Sequence, residues 1–152
     1  YKTVFNNIEE LEGFIGKELG LTGWNEMDQE RINKFADVTE DLQWIHIDEE
    51  RSKKESPYKQ TIAHGFLMLS LSSKIMFDCY EIKNTSMAIN YGLDKVRFPS
   101  ATISGSRFRG RVSLIEYLKI PMGAKYKLQV IIELEGLEKP ACVADCLALA
   151  YR

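Results

Sequence analysis

Residues 64–80 read HGFLMLSLSSKIMFDCY, and this stretch decides the fold. Phe66, Leu67, Met68, Leu69, Leu71, Ile75, Met76 and Phe77 point in every direction around a helix. A helix that is apolar all round has to be surrounded by protein. The serines among them, Ser70, Ser72 and Ser73, are small enough to let other elements come close. The plain reading is a core helix.

From Ser86 onward the chain is strand-like. Met87, Ile89 and Tyr91 alternate, followed by Val96 and Phe98, and Arg107–Tyr117 is rich in β-formers. Tyr126, Leu128, Val130, Ile132 and Leu134 alternate with polar neighbours, the pattern of a half-buried strand. Val143, Leu147, Leu149 and Tyr151 continue that pattern in a last strand, with turns at Pro121-Met122-Gly123 and around Glu138-Lys139-Pro140. Upstream, Ile8, Leu11, Ile15 and Leu19 predict a helix over 7–19, capped by Asn7 with Glu10 at the capping-box position. An extended piece around Trp24–Met27 follows, and Asp28 caps a second helix carrying Ile32, Phe35 and Ala36. Long strands joined by short turns around one apolar helix imply an α+β domain spanning 1–152, a curved antiparallel sheet wrapped on a central buried helix.

The 152 residues suffice for one domain with a real core, and 45% hydrophobic with 28% charged residues is ordinary globular composition. A net charge of −2 argues against nucleic-acid binding, which needs a concentrated basic surface. No apolar run approaches the roughly 20 residues that span a bilayer, and the first residues do not have the basic-then-apolar pattern of a secretion leader. Cys79, Cys142 and Cys146 form no disulfide framework. On one strand, Cys142 and Cys146 lie about 13 Å apart, too far to bridge. The expected compartment is reducing, most simply the cytoplasm.

Chemistry has few places to sit. Asp41 and His46, in DLQWIH, fall in an irregular segment where both can face one spot and hold a water between them. The same spacing also fits an Asp capping a turn and a His bonded to the backbone. His64-Gly65 opens the central helix, where unpaired amides at the positive end of the dipole can polarise a carbonyl oxygen. Gly65 equally suits a tight turn, and His64 reads as structural. Arg107, Arg109 and Arg111 share one face of a strand and can meet phosphates, or form a solvated face. Lys53 and Lys54 have less support, and Trp24 and Trp44 read as packing. No phosphate loop, G-x-S-x-G elbow, H-E-x-x-H or cysteine zinc motif is present. With the two histidines far apart in sequence, no metal centre is expected.

Three runs carry a resemblance: FADVTEDLQWIHIDEER over 35–51, TIAHGFLMLSL over 61–71 and INYGLDKVRFPS over 89–100. In this order they resemble the MaoC-like dehydratases, and most closely the nodulation protein N-like branch. The resemblance implies a hot-dog homodimer and (R)-specific hydration of trans-2-enoyl-CoA to (R)-3-hydroxyacyl-CoA. By the same resemblance Asp41 and His46 are catalytic, and the Gly65 amide serves the thioester carbonyl. Gln43 and Arg107 join them as candidate substrate contacts: Gln43 offers an amide to steady the site, and Arg107 a guanidinium for coenzyme A. No cofactor is implied, since coenzyme A belongs to the substrate. Three departures stand out. Gln43-Trp44 replaces the Asn-Pro of many hydratases, Glu40 stands where Gly is common, and 100–106 lacks the expected prolines. Two other readings share these residues: a 3-hydroxyacyl-carrier-protein dehydratase, and an acyl-thioester-binding accessory protein without turnover.

Overall fold

The computed structural model describes residues 1–152. In chain order its strands are β1 (Thr3–Phe5), β2 (Glu18–Leu21), β3 (Asn25–Glu26), β4 (Tyr80–Ile82), β5 (Met87–Arg97), β6 (Arg107–Ile120), β7 (Gly123–Leu134) and β8 (Cys142–Tyr151). The helices are α1 (Gln29–Thr39), α2 (Trp44–Ile47), α3 (Glu49–Glu55), α4 (Gly65–Ser70) and α5 (Ser72–Cys79), preceded by a 3₁₀ segment at Ile8–Phe14. The main sheet is antiparallel in the order β2-β6-β7-β8-β5, with β3 also on β6, and β1 and β4 form a separate parallel pair. One contiguous core joins the inner face of this sheet to α4 and α5.

The central helix forms as expected but in two pieces that meet at Leu71, whose ψ of −12° loosens the turn. Leu67, Met68, Ile75 and Cys79 are buried. One side of the helix is left open by this chain, where Phe66 is 71% and Phe77 76% exposed. Phe66, Ser70, Ser73 and Phe77 recur at helical spacing and form one open face.

Strand β7 buries the predicted set from Tyr126 to Leu134. In β8 the prediction chose the wrong face. Cys142, Ala144, Cys146 and Ala150 point inward, while Val143, Leu147, Leu149 and Tyr151 are only half-buried. The helix α4 packs against β8, so its inner positions hold small residues and the larger ones fall outside. All three cysteines are free and buried, and burial pushes the Cys142 and Cys146 thiols up to about 11.

The first predicted helix is shorter than expected. Asn7 does cap it, accepting from the Glu10 amide at 3.2 Å. It stops at Phe14 because Gly16 takes a left-handed φ of 82°, and Leu19 lies fully buried in β2. There the C-terminal end of α5 crosses β2 at Gly20, where a side-chain Cβ would lie 2.4 Å from the Cys79 carbonyl oxygen. Backbone cannot yield there as a side-chain tip can. Gly20→Ala is therefore expected to lower stability by about 3 kcal/mol, read from the denaturation midpoint. Gly23→Ala is the control, since its Cβ meets nothing within 4 Å.

Strand β5 is an edge of the sheet, paired only with β8. Met87, Tyr91 and Leu93 on it are exposed. No helix is long and apolar enough to cross a membrane.

Candidate active site

Asp28 caps α1 by accepting from the Arg31 amide at 2.9 Å, and the helix ends at Glu40 with φ 61° and ψ 22°. The turn that glycine usually makes is thus made here by a glutamate. This left-handed geometry costs a side-chain-bearing residue roughly 1 kcal/mol, partly offset by its stiffer unfolded chain. Glu40→Gly is expected to raise stability by about 0.5 kcal/mol or more, measured as a higher urea midpoint.

The reversal at Glu40 delivers Asp41, exposed, beside the single turn of α2. Its carboxylate accepts from the Gln43 amide at 3.4 Å. His46 sits within that turn, 7% exposed, and its Nδ1 lies 2.7 Å from the Ile62 carbonyl oxygen. A carbonyl only accepts, so Nδ1 carries the hydrogen and Nε2 keeps a bare lone pair. Gln29 fastens the arrangement, donating to the His46 carbonyl at 2.7 Å and accepting from the Thr61 hydroxyl.

Residues 61–64 run alongside α2, held by Ile62 to Ile45 at 3.0 Å and Ala63 to Thr102 at 2.8 Å. This brings His64 over His46, with ring centroids 3.8 Å apart and planes within 21°. His64 Nε2 donates to the Asp41 carbonyl oxygen at 3.1 Å, while its buried Nδ1 has no partner. Burial holds His64 below the ordinary imidazole value. The bond to Asp41 works against that shift, and His46 adds to it. Next along the chain, Gly65 supplies the first amide of α4, which has no acceptor within the helix. A Cβ at Gly65 would sit 3.3 Å from the Phe98 ring, so the glycine leaves little spare room.

Asp41, His46 and His64 thus gather side-chain donor atoms within 4.8 Å of one another. The premise that sequence separation keeps the two histidines apart is corrected. Because the rings are stacked 3.8 Å apart, their in-plane lone pairs lie in two nearly parallel planes, an arrangement less suited to one shared ion than ligands that converge tetrahedrally. A carboxylate and one bare imidazole nitrogen beside each other are instead suited to holding and deprotonating a water.

Residues 10–131 match the MaoC like domain family. The chain belongs to this family. Among curated MaoC-like relatives, 3-hydroxyacyl-thioester dehydratase Z of Mycobacterium tuberculosis is 40% identical over 144 residues, covering 94% of this chain and 95% of the relative. Nodulation protein N of Rhizobium meliloti is 40% identical over 149 residues, covering 95% and 91%. The monoamine oxidase regulatory protein from Archaeoglobus fulgius superposes with a TM-score of 0.80 at 21% identity, covering 98% of this chain and 96% of that one. The R-hydratase PhaJ1 from Pseudomonas aeruginosa gives 0.72 at 19% identity, covering 89% and 83%. The architecture is the hot-dog fold of these MaoC-like proteins.

The remaining predicted residues fall in two places. Gln43 precedes α2, exposed, next to Asp41. Arg107, Arg109 and Arg111 do share a face of β6, but it is the face turned away from the core. Each already has a carboxylate: Glu135 at 3.0 Å, Glu133 at 3.4 Å, and Glu133 with Glu18. Arg109 also lies over the Trp24 ring at 4.5 Å. This is an ion-pair row on the outside of the sheet. His64 is the residue that sequence reasoning set aside as structural, and it touches both Asp41 and His46.

Proposed function

We propose that this chain is a hydro-lyase that adds water to a trans-2-enoyl-CoA to give the (R)-3-hydroxyacyl-CoA, and that it runs the reverse dehydration. The observation that carries the reading is His46, its Nδ1 turned to the Ile62 carbonyl and a ring nitrogen within 4.8 Å of the Asp41 carboxylate, grouped with the His64 that immediately precedes the first amide of α4. Family membership and the dehydratase name of a relative that is 40% identical support the hydro-lyase class.

Asp41 and His46 hold a water against C3 of the enoyl group. As its oxygen bonds to C3, one of the pair takes the proton, and the C2–C3 π electrons move toward the thioester carbonyl. The Gly65 amide donates to the oxygen that gains charge, where one well-placed donor is worth about 3 kcal/mol. The proton then returns to C2, leaving the pair as it began. A cavity of about 440 Å³ between α5 and strands β5 and β8, lined by Met76, Phe77, Ile89 and Leu147 among others, takes the acyl chain.

The working form is a homodimer. The open Phe66 and Phe77 face and the unpaired β5 edge, carrying Met87, Tyr91 and Leu93, are the surfaces for a second copy.

Loss of enoyl absorbance with crotonyl-CoA and longer trans-2-enoyl-CoAs tests the reading. Turnover is expected. Turnover only when the acyl group rides on a carrier protein moves the substrate to that carrier. Tight thioester binding with no turnover on either would overturn the enzyme reading.

A further inference from the structure

One patch of the apolar cavity wall is polar. Tyr80 of β4 and Tyr126 of β7 place their hydroxyl oxygens 3.2 Å apart, with rings edge to face at 6.4 Å. Tyr126 is 2% exposed. Neither hydroxyl has another hydrogen-bond partner in the protein. Two phenols bring two hydrogens, and the bond between them uses one. The second hydrogen faces a mainly apolar cavity and has no acceptor in the protein. Burial raises both phenols above their ordinary value, so both hydrogens are present at neutral pH.

We propose that the Tyr80–Tyr126 pair makes this cavity selective for acyl chains that bear a neutral oxygen, a carbonyl or a hydroxyl, far from the thioester. This rests on the acyl-thioester reading above. The free hydroxyl hydrogen donates to that oxygen, and the apolar wall takes the carbons on either side of it. A carboxylate is not the match, because the only charged residues of the lining, Lys2 and Glu81, already pair with each other at 3.3 Å. Distance sets where the oxygen belongs. Tyr80 follows Gly65 by fifteen residues of α4 and α5, up to about 22 Å of helical rise. The oxygen therefore lies toward the distal end of a long chain and not beside the reacting carbons.

The experiment uses trans-2-enoyl-CoA thioesters of one long chain length, a plain hydrocarbon and counterparts with a keto group stepped along the distal half. Wild-type kcat/KM is expected to be about tenfold higher for the best-placed ketone than for the hydrocarbon, since a site built to hydrogen-bond a group discriminates against the analogue lacking it. Removing both hydroxyls, in the Tyr80→Phe/Tyr126→Phe double variant, should bring that ratio close to one, since either phenol left alone keeps a hydrogen to donate. A wild-type ratio of one at every keto position, a preference for the plain chain, or a ratio untouched in the double variant would overturn the proposal. Failure of the function reading is distinct: the wild type would then turn over none of the thioesters.

Discussion

Asp41→Asn is expected to lower kcat for enoyl-CoA hydration by about a thousandfold, with KM little changed and the melting temperature within a few degrees of the parent. Asp41 is exposed, and its side chain bonds only to the Gln43 amide. An asparagine oxygen can keep that bond, so the fold loses almost nothing. In the proposed mechanism what goes is the negative charge facing the water, and with it either the base or the partner that supports a protonated His46. His46→Ala should be of similar severity, because the nitrogen lost is the one bared by the Ile62 carbonyl. In the proposed mechanism the two groups hold one water and act together, so the double variant should be no slower than the slower single one. Stopped or steady-state hydration of crotonyl-CoA measures all three. Full turnover in both single variants would sink the assignment.

Alternation carried most of the fold, and its failures have physical causes. In β7 the apolar and the inward residues coincide except at Ile131, so the face was legible. In β8 they are opposite sets. Hydrophobicity favours Val143, Leu147 and Leu149, yet α4 leaves room only for Cys142, Ala144, Cys146 and Ala150. Volume decided that face, and periodicity does not report volume. The helix at 64–80 was legible as central, but a pattern apolar all round does not say whose atoms cover each side. Phe66 and Phe77 remain open in one chain. At Glu40 the sequence departs from the usual glycine while the backbone keeps the left-handed turn, so the site geometry survives a substitution that argued against it. His64 left no mark in spacing at all. Its place over His46 comes from long-range bonds, Ile62 to Ile45 and Ala63 to Thr102, that no local pattern encodes.

His64→Ala is expected to cut kcat by about a hundredfold while KM moves little, because misplacing a catalytic group by about 1 Å can cost that much. The ring does two things at once. Its face supports the His46 imidazole at 3.8 Å, and its Nε2 hydrogen holds the Asp41 backbone at 3.1 Å. Removing it frees both proposed catalytic residues without touching the reacting atoms, which makes His64 a positioning residue. Gln can restore one of the two contacts, since its amide N–H reaches as an imidazole Nε2 does, so His64→Gln should recover part of the lost kcat. A purely structural role would show as equal loss of stability in both variants with no such recovery. Acid adds an independent check. Burial keeps His64 neutral below the ordinary imidazole value, so the unfolded chain takes up a proton that the folded chain refuses. That difference destabilises the fold as pH drops below about 6.5, and it vanishes above that pH, where both states are neutral. The decline should be shallower in His64→Gln, which has nothing to protonate at that position, and a denaturation series from neutral to mildly acidic pH reads the difference directly.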